Sequence, residues 1–196
     1  MTVVETDRID MADHSDELTL DTLFEWLERL PVPEGYKVEI VGGNVYMTPQ
    51  RSIHWQIIRR IIWALEDRFG RRVNVLSDVR IDFPGGNGFC PDVAKLREDT
   101  EPDGQGHWRY QDVEFVAEVI SRGTAVNDYG PKKDAYAAAG VPIYLIADPY
   151  TSKWIVYSLP EDGEYTAESR GIFGLPIDLT KTPLALTLNT NEFPHD

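Results

Sequence analysis

A chain of 196 residues with 42% hydrophobic side chains is long enough to bury a core of its own, and its 33 acidic against 19 basic residues leave a formal net charge of −14. That balance excludes a protein that coats nucleic acid through bulk positive charge, because phosphate contacts need Lys and Arg. The single cysteine, Cys90, excludes an internal disulfide and a multi-cysteine zinc site; no run of about 18 apolar residues marks a membrane span and no basic-then-apolar start marks a secretory signal, so a cytoplasmic protein is expected.

Residues 1–17 carry Glu5, Asp7, Asp10, Asp13, Asp16 and Glu17 against Arg8 without apolar periodicity, the pattern of a disordered acidic tail. From Leu18 to Leu30, the residues Leu23, Phe24, Leu27 and Leu30 recur at helical spacing, with Thr19 or Asp21 as N-cap and Pro31 as stop. Lys37–Val41 and Asn44–Thr48 predict a hairpin around Gly42-Gly43. Ser52–Phe69 predicts the longest helix, striped by Ile53, Ile57, Ile61 and Leu65, widened by Ile58, Ile62 and Phe69, and ended by Gly70. Val73–Phe83 reads as a strand interrupted near Ser77-Asp78, and Pro84–Gly88 as the turn into a strand carrying Asp92. Those glycines lack the Lys-Ser/Thr and helix start of a phosphate-binding loop.

Residues 97–112 read as an acidic loop ahead of an apolar strand that carries Glu118. A helix over 128–139, a strand over 142–147 and a hairpin of 153–159 with 164–168 around Pro160-Glu161-Asp162-Gly163 follow. Residues 18–188 are thus expected as one domain and 189–196 as a loose tail. The order implies an α/β sandwich with a mixed sheet, in which 118–147 forms a βαβ crossover.

Asp92 and Glu118 each interrupt an apolar run, and a carboxylate in such a place needs a positive partner to offset its desolvation. Two neighbouring strands could bring them together around a hard cation, for which oxygen ligands suit Mg²⁺ or Mn²⁺. Lys132, just after Pro131 in a first helical turn, can reach the same strand ends, and Asp128, Lys132 and Tyr136 share a helix face at four-residue spacing. Two unrelated acids and a solvated lysine pair are the other way to read these residues. Between positions 51 and 72 the charge reverses to +4 through Arg51, Arg59, Arg60, Arg68, Arg71 and Arg72 against Glu66 and Asp67.

Pro91-Asp92, then Ala117-Glu118-Val119-Ile120-Ser121, then Asp128-x-x-x-Lys132-x-x-x-Tyr136, then Ala139-Gly140-Val141-Pro142-x-Tyr144-Leu145-x-x-Asp148-Pro149 resembles the Uma-two family, a branch of the PD-(D/E)XK nuclease superfamily. Tyr36-x-x-Glu39-Ile40-x-Gly42-Gly43 and His54 extend the resemblance to about residues 18–188. It implies a restriction-endonuclease-like sandwich, a mixed central β-sheet flanked by helices. It also implies Mg²⁺ or Mn²⁺ held by Asp92 and Glu118 with a backbone carbonyl after the acid, and Lys132 as a third catalytic residue drawn from the following helix. The superfamily pattern places that lysine two residues after the acid, where Ile120 stands.

Glu39, His54, Asp128 and Tyr136 are accessory candidates by the same resemblance, and Asn44, replacing a family acid, receives no role. Arg59, Arg60, Arg68, Arg71 and Arg72 are the candidates for phosphate-backbone contact. The expected function is a divalent-metal-dependent endonuclease acting on DNA, as a homo-oligomer (a dimer) that cuts both strands. The alternative is a catalytically silent nucleic-acid-binding or regulatory module on the same fold, which Ile120 and the acidic balance leave open.

Overall fold

The computed structural model describes residues 19–195, so the acidic segment 1–17, expected to be disordered, lies outside the described residues. Thr19 accepts a hydrogen bond from the Thr22 N–H and caps helix α1 (Leu20–Arg29), satisfying one of the donors that a helix start leaves unpaired. Strands β1 (Tyr36–Val41) and β2 (Asn44–Pro49) form the expected hairpin, its turn made by Gly42 and Gly43 at φ of 56° and 76°. Helix α2 (Ser52–Phe69) buries Ile57, Ile58, Ile61 and Leu65, and Gly70 ends it at φ 90°.

Six short strands follow: β3 (Val75–Leu76), β4 (Ile81–Phe83), β5 (Asn87–Phe89), β6 (Val93–Leu96), β7 (Trp108–Arg109) and the longer β8 (Val113–Val119). Helices α3 (Ala125–Tyr129) and α4 (Pro131–Ala138) lead to β9 (Ile143–Asp148), the hairpin β10 (Lys153–Glu161) and β11 (Glu164–Ile172), and the pair β12 (Ile177–Leu179) and β13 (Leu186–Leu188). No helix among the described residues is long and apolar enough to cross a membrane.

The central sheet runs β11-β10-β9-β8-β6-β3 and is mixed, since β8 and β9 are parallel across the α3–α4 crossover while their neighbours are antiparallel. A second sheet runs β2-β1-β5-β4-β7. Alternation along β8 sets the layers. Phe115, Ala117 and Val119 pack with the buried isoleucines of α2, whereas Val116, with Ile120 beyond the strand end, packs with Tyr136 of α4 and with Phe83 and Phe89 of the second sheet. Each such buried aliphatic or aromatic side chain contributes on the order of 1.5–3 kcal/mol over leaving it in water. Glu118, alternating with Ala117 and Val119, belongs to the face covered by α4 and the second sheet.

Four expectations are corrected by the structure. The strand over 73–83 is interrupted where expected, at Asp78 with φ 57°, but its halves lie in different sheets, β3 against β6 and β4 against β5. The helix expected over 128–139 is broken at Gly130, whose ψ of −101° is not helical, as the proline that follows it disfavours the helical region. The β10–β11 hairpin turns on Asp162-Gly163 alone, and Pro160 is tolerated in β10 because the pairing with β9 ends at Ser158.

Residues 189–193, expected to be loose, are packed. Thr190 is fully buried, accepting from the Gly174 N–H and donating to the Leu175 carbonyl, and Phe193 meets Phe173 edge to face.

Candidate active site

The antiparallel register of β6 and β8 sets Val93 opposite Ala117, which puts Asp92, just before β6, opposite Glu118. Each carboxylate is then fixed by the other strand's backbone: the Val119 N–H donates to Asp92 Oδ2 at 2.8 Å and the Asp92 N–H to Glu118 Oε2 at 3.3 Å. From β1 of the second sheet comes Glu39, whose Oε1 accepts from the Cys90 N–H at 2.9 Å. From α4, Tyr136 donates to Glu118 Oε1 at 2.9 Å. Lys132 Nζ lies 2.5 Å from Glu118 Oε1, 3.1 Å from Glu39 Oε1 and 3.2 Å from Asp128 Oδ1. Asp92, Glu118, Lys132, Glu39, Asp128 and Tyr136 therefore converge, although the helix bearing Asp128 and the helix bearing Lys132 are distinct.

Sequence reasoning missed Lys37. Its ammonium is 2.8 Å from Asp92 Oδ1, 3.6 Å from Glu118 Oε2 and 3.7 Å from Glu39 Oε2. The signal was in the alternation of β1, where Lys37, Glu39 and Val41 share one face and all three are buried. Two charges of opposite sign on a strand face that ends in a core valine call for further partners.

Four buried carboxylates thus surround two ammonium groups. Burial works against the charge of both lysines, but the acids around them outweigh it and hold both above the ordinary lysine range. Burial raises Asp92, with Lys37 opposing, while Glu118 stays below its usual value because Lys132 and Lys37 together overcome its desolvation. Asp128 is pushed up to about 7 by burial despite Lys132. Burial and the Glu118 charge raise the Tyr136 phenol, which keeps it a hydrogen-bond donor. Cys90, pushed up to about 12 mainly by burial, is no nucleophile.

A narrow cleft of about 10 Å³ lies over this cluster, lined by Lys37, Glu39, Thr48, Gln50, His54, Asp92, Glu118, Ser121, Thr124 and Asp128. Lys132, 1% exposed, is sealed behind Glu39 and Glu118 and does not line it. His54 is buried at the cleft, 3.5 Å from the Tyr150 hydroxyl, and burial lowers its pKa. Ile120, 2% exposed, joins the apolar cluster, so the position where the superfamily carries lysine is core here.

The five arginines do not join the cleft. Arg59 lies over the Trp63 ring, Arg60 bonds the Gln56 carbonyl and pairs with Glu192, Arg68 donates to the Ala185 carbonyl, and Arg71 and Arg72 are exposed in the turn after α2. At about 1.5 Å per residue, Arg68 stands roughly 21 Å along the helix from His54. Asp21, Asp82 and His107 also approach one another, but Arg80 already bonds both carboxylates.

Residues 24–189 match the family model Uma2, described as "Putative restriction endonuclease". The chain belongs to the Uma2 family. Its fold is also that of a crystal structure titled as a putative nuclease belonging to DUF820 from Anabaena variabilis, at 15% identity and a TM-score of 0.67, covering 89% of this chain and 96% of that one. No curated protein matches the chain.

The donor set of this Uma2 protein fits a hard divalent ion. Asp92, Glu118 and Glu39 offer only oxygen, and each turns one oxygen toward the Lys37 ammonium while fixed donors hold the other.

Proposed function

We propose that this protein is a Mg²⁺- or Mn²⁺-dependent endonuclease that hydrolyses DNA phosphodiester bonds. The observation that supports the proposal is the convergence of one oxygen each from Asp92, Glu118 and Glu39 on a common point, held by the Lys37 ammonium, beside a narrow cleft. A divalent ion held by Asp92 and Glu118 supplies Lewis-acid polarisation of the phosphate and a more acidic water. The chain's own residues do the rest. The Val119 N–H and the Asp92 N–H fix the two ligands, and Tyr136 orients Glu118 from the other side.

Lys132 was expected as a third catalytic residue. Its burial behind Glu39 and Glu118 supports a positioning role instead, holding both carboxylates in place. Cutting both strands of a duplex calls for two such sites, and a homodimer would supply them.

Supercoiled plasmid tests the proposal. Wild type with Mg²⁺ or Mn²⁺ should nick it, chelation should stop the reaction, and Asp92→Asn should lose both nicking and the heat of Mn²⁺ binding. Equal heats from the two proteins would remove Asp92 from the metal site.

One observation favours the silent-module reading: Lys37 and Lys132 already neutralise the central acids from within. Binding of DNA or RNA without cleavage under either ion would select it.

A further inference from the structure

The carboxylate oxygens at the site fall into two groups. Asp92 Oδ2 is held by the Val119 N–H, Glu118 Oε1 by Tyr136 and Lys132, and Glu39 Oε1 by the Cys90 N–H and Lys132. Backbone amides, a buried phenol and a sealed ammonium are donors that cannot leave. The remaining oxygens, Asp92 Oδ1, Glu118 Oε2 and Glu39 Oε2, all face the Lys37 ammonium at 2.8, 3.6 and 3.7 Å; Glu118 Oε2 also accepts from the Asp92 N–H at 3.3 Å and Glu39 Oε2 from Lys132 at 3.2 Å, so Asp92 Oδ1 is the oxygen that depends most on Lys37. Lys37 is the one member of this second group on a long flexible stem that borders the cleft.

An ion about 2.1 Å from Asp92 Oδ1 would lie no more than about 5 Å from where the Lys37 nitrogen now sits, too close for two cations in so enclosed a place. The ammonium must then give way. Lys37 stands opposite Thr48 in the β1–β2 register, and Thr48 and Gln50 line the cleft, so the direction left to the ammonium runs along the cleft past these two polar side chains, Gln50 being exposed at its edge.

We propose that Lys37 holds the metal seat in the resting protein and, when a divalent ion binds, swings into the cleft to contact the phosphate of the substrate. The proposal rests on the reading of Asp92 and Glu118 as metal ligands. It makes Lys37, instead of Lys132, the ammonium that meets the substrate. It also makes metal binding and phosphate binding cooperative, since the ion releases the group that the phosphate needs.

The test pairs Mn²⁺ calorimetry with binding of a fluorescent DNA duplex in Ca²⁺, on the full chain as wild type, Lys37→Met and Asp92→Asn. Lys37→Met should bind Mn²⁺ about tenfold or more tightly than wild type, because the ion no longer displaces a competing cation, yet should bind the duplex about tenfold more weakly. Mn²⁺ affinity unchanged or weakened in Lys37→Met would overturn the displaced seat, and unchanged duplex affinity would overturn the phosphate contact. Absence of Mn²⁺ heat from wild type would instead overturn the metal reading on which the proposal rests.

A crystal of wild type soaked in Mn²⁺ decides the matter without a variant. Lys37 Nζ should have left Asp92 Oδ1. An ion bound to Asp92 with Lys37 still in hydrogen-bond contact would overturn the proposal.

Discussion

Cys90 shows how much a single residue's surroundings decide. The residue is 8% exposed and its thiol is pushed up to about 12 mainly by burial, so almost none is thiolate at neutral pH. An aromatic disulfide reagent should therefore modify it only as fast as the protein opens, and release one equivalent at once in denaturant. Prompt reaction with the folded protein would refute its burial.

His54 carries a pH dependence with a definite sign. Burial lowers its folded pKa below the ordinary 6.5, against the attraction of Asp92 and with help from Lys37 and Arg51, so the unfolded chain binds its proton more readily. Its contribution is fully present above pH 6.5 and is lost as pH falls through its lower folded value. His54→Gln should flatten the dependence of melting temperature on pH between about 7 and 5 relative to wild type. Parallel curves would mean that His54 titrates alike in both states.

Lys132 is the more demanding case. Removing it leaves Glu118, Glu39 and Asp128 without their shared ammonium, so Lys132→Ala should cost about 3–5 kcal/mol of stability as well as nicking. Lys133, partly exposed beside Asp134, should be nearly silent as Ala. Because Lys132 positions Glu118, substitution with Arg should lower kcat per folded molecule with little change in KM; the folded fraction is fixed by circular dichroism, since loss of folded protein alone would also lower apparent kcat at constant KM.

Asp92, Glu118 and Lys132 were legible because acids inside apolar runs and a lysine after a helix-starting proline contradict their surroundings. Lys37 was easily passed over, since a lysine opening a strand next to a turn resembles an ordinary solvated edge residue unless its alternation with Glu39 and Val41 is followed. Its partner Asp92 lies 55 positions away in sequence.

At the scale of elements, legibility followed the locality of the cause. Helix α2 could be read to the residue at both ends because a stripe of isoleucines lies within it and Gly70 directly follows its last residue. The interruption of 73–83 near Ser77-Asp78 could be read too, but not the assignment of its halves to different sheets, because the partners that separate them, β6 and β5, come later in the chain.

The β10–β11 hairpin offers a test of packing between neighbouring strands. A methyl group added at Gly171 would stand 2.4 Å from Trp154 Cζ2, and that ring is held by its Nε1–H donating to the Ile172 carbonyl. Gly171→Ala should then destabilise the protein by about 1–3 kcal/mol in urea titration, the usual cost of overpacking. Gly104→Ala, with nothing within 4 Å, is the control and should change stability little. Equal midpoints for the two variants would show that Trp154 moves aside freely.

For the whole molecule, the net charge of −14 hides a division of labour among the arginines. Arg60 and Arg68 tie α2 to the C-terminal segment through Glu192 and the Ala185 carbonyl. Their loss should lower the melting temperature more than it weakens DNA binding. Arg71 and Arg72 are exposed at the end of α2 away from His54 and hold no such tie among the contacts described. Duplex DNA carries one charge per roughly 1.7 Å of axis, so a duplex lying along α2 with a phosphate in the cleft would bring its backbone past both. In that arrangement the double variant Arg71→Ala, Arg72→Ala should reduce the slope of log K against log salt by about 1–2 while leaving thermal stability unchanged, since each phosphate contact contributes about 0.9. An unchanged slope would instead place the duplex across the cleft mouth, near Arg51 at the start of α2 and Arg122 over the Tyr150 ring. Arg51→Ala would then carry the salt effect, and the arginines farther along the helix would be ordinary solvated surface.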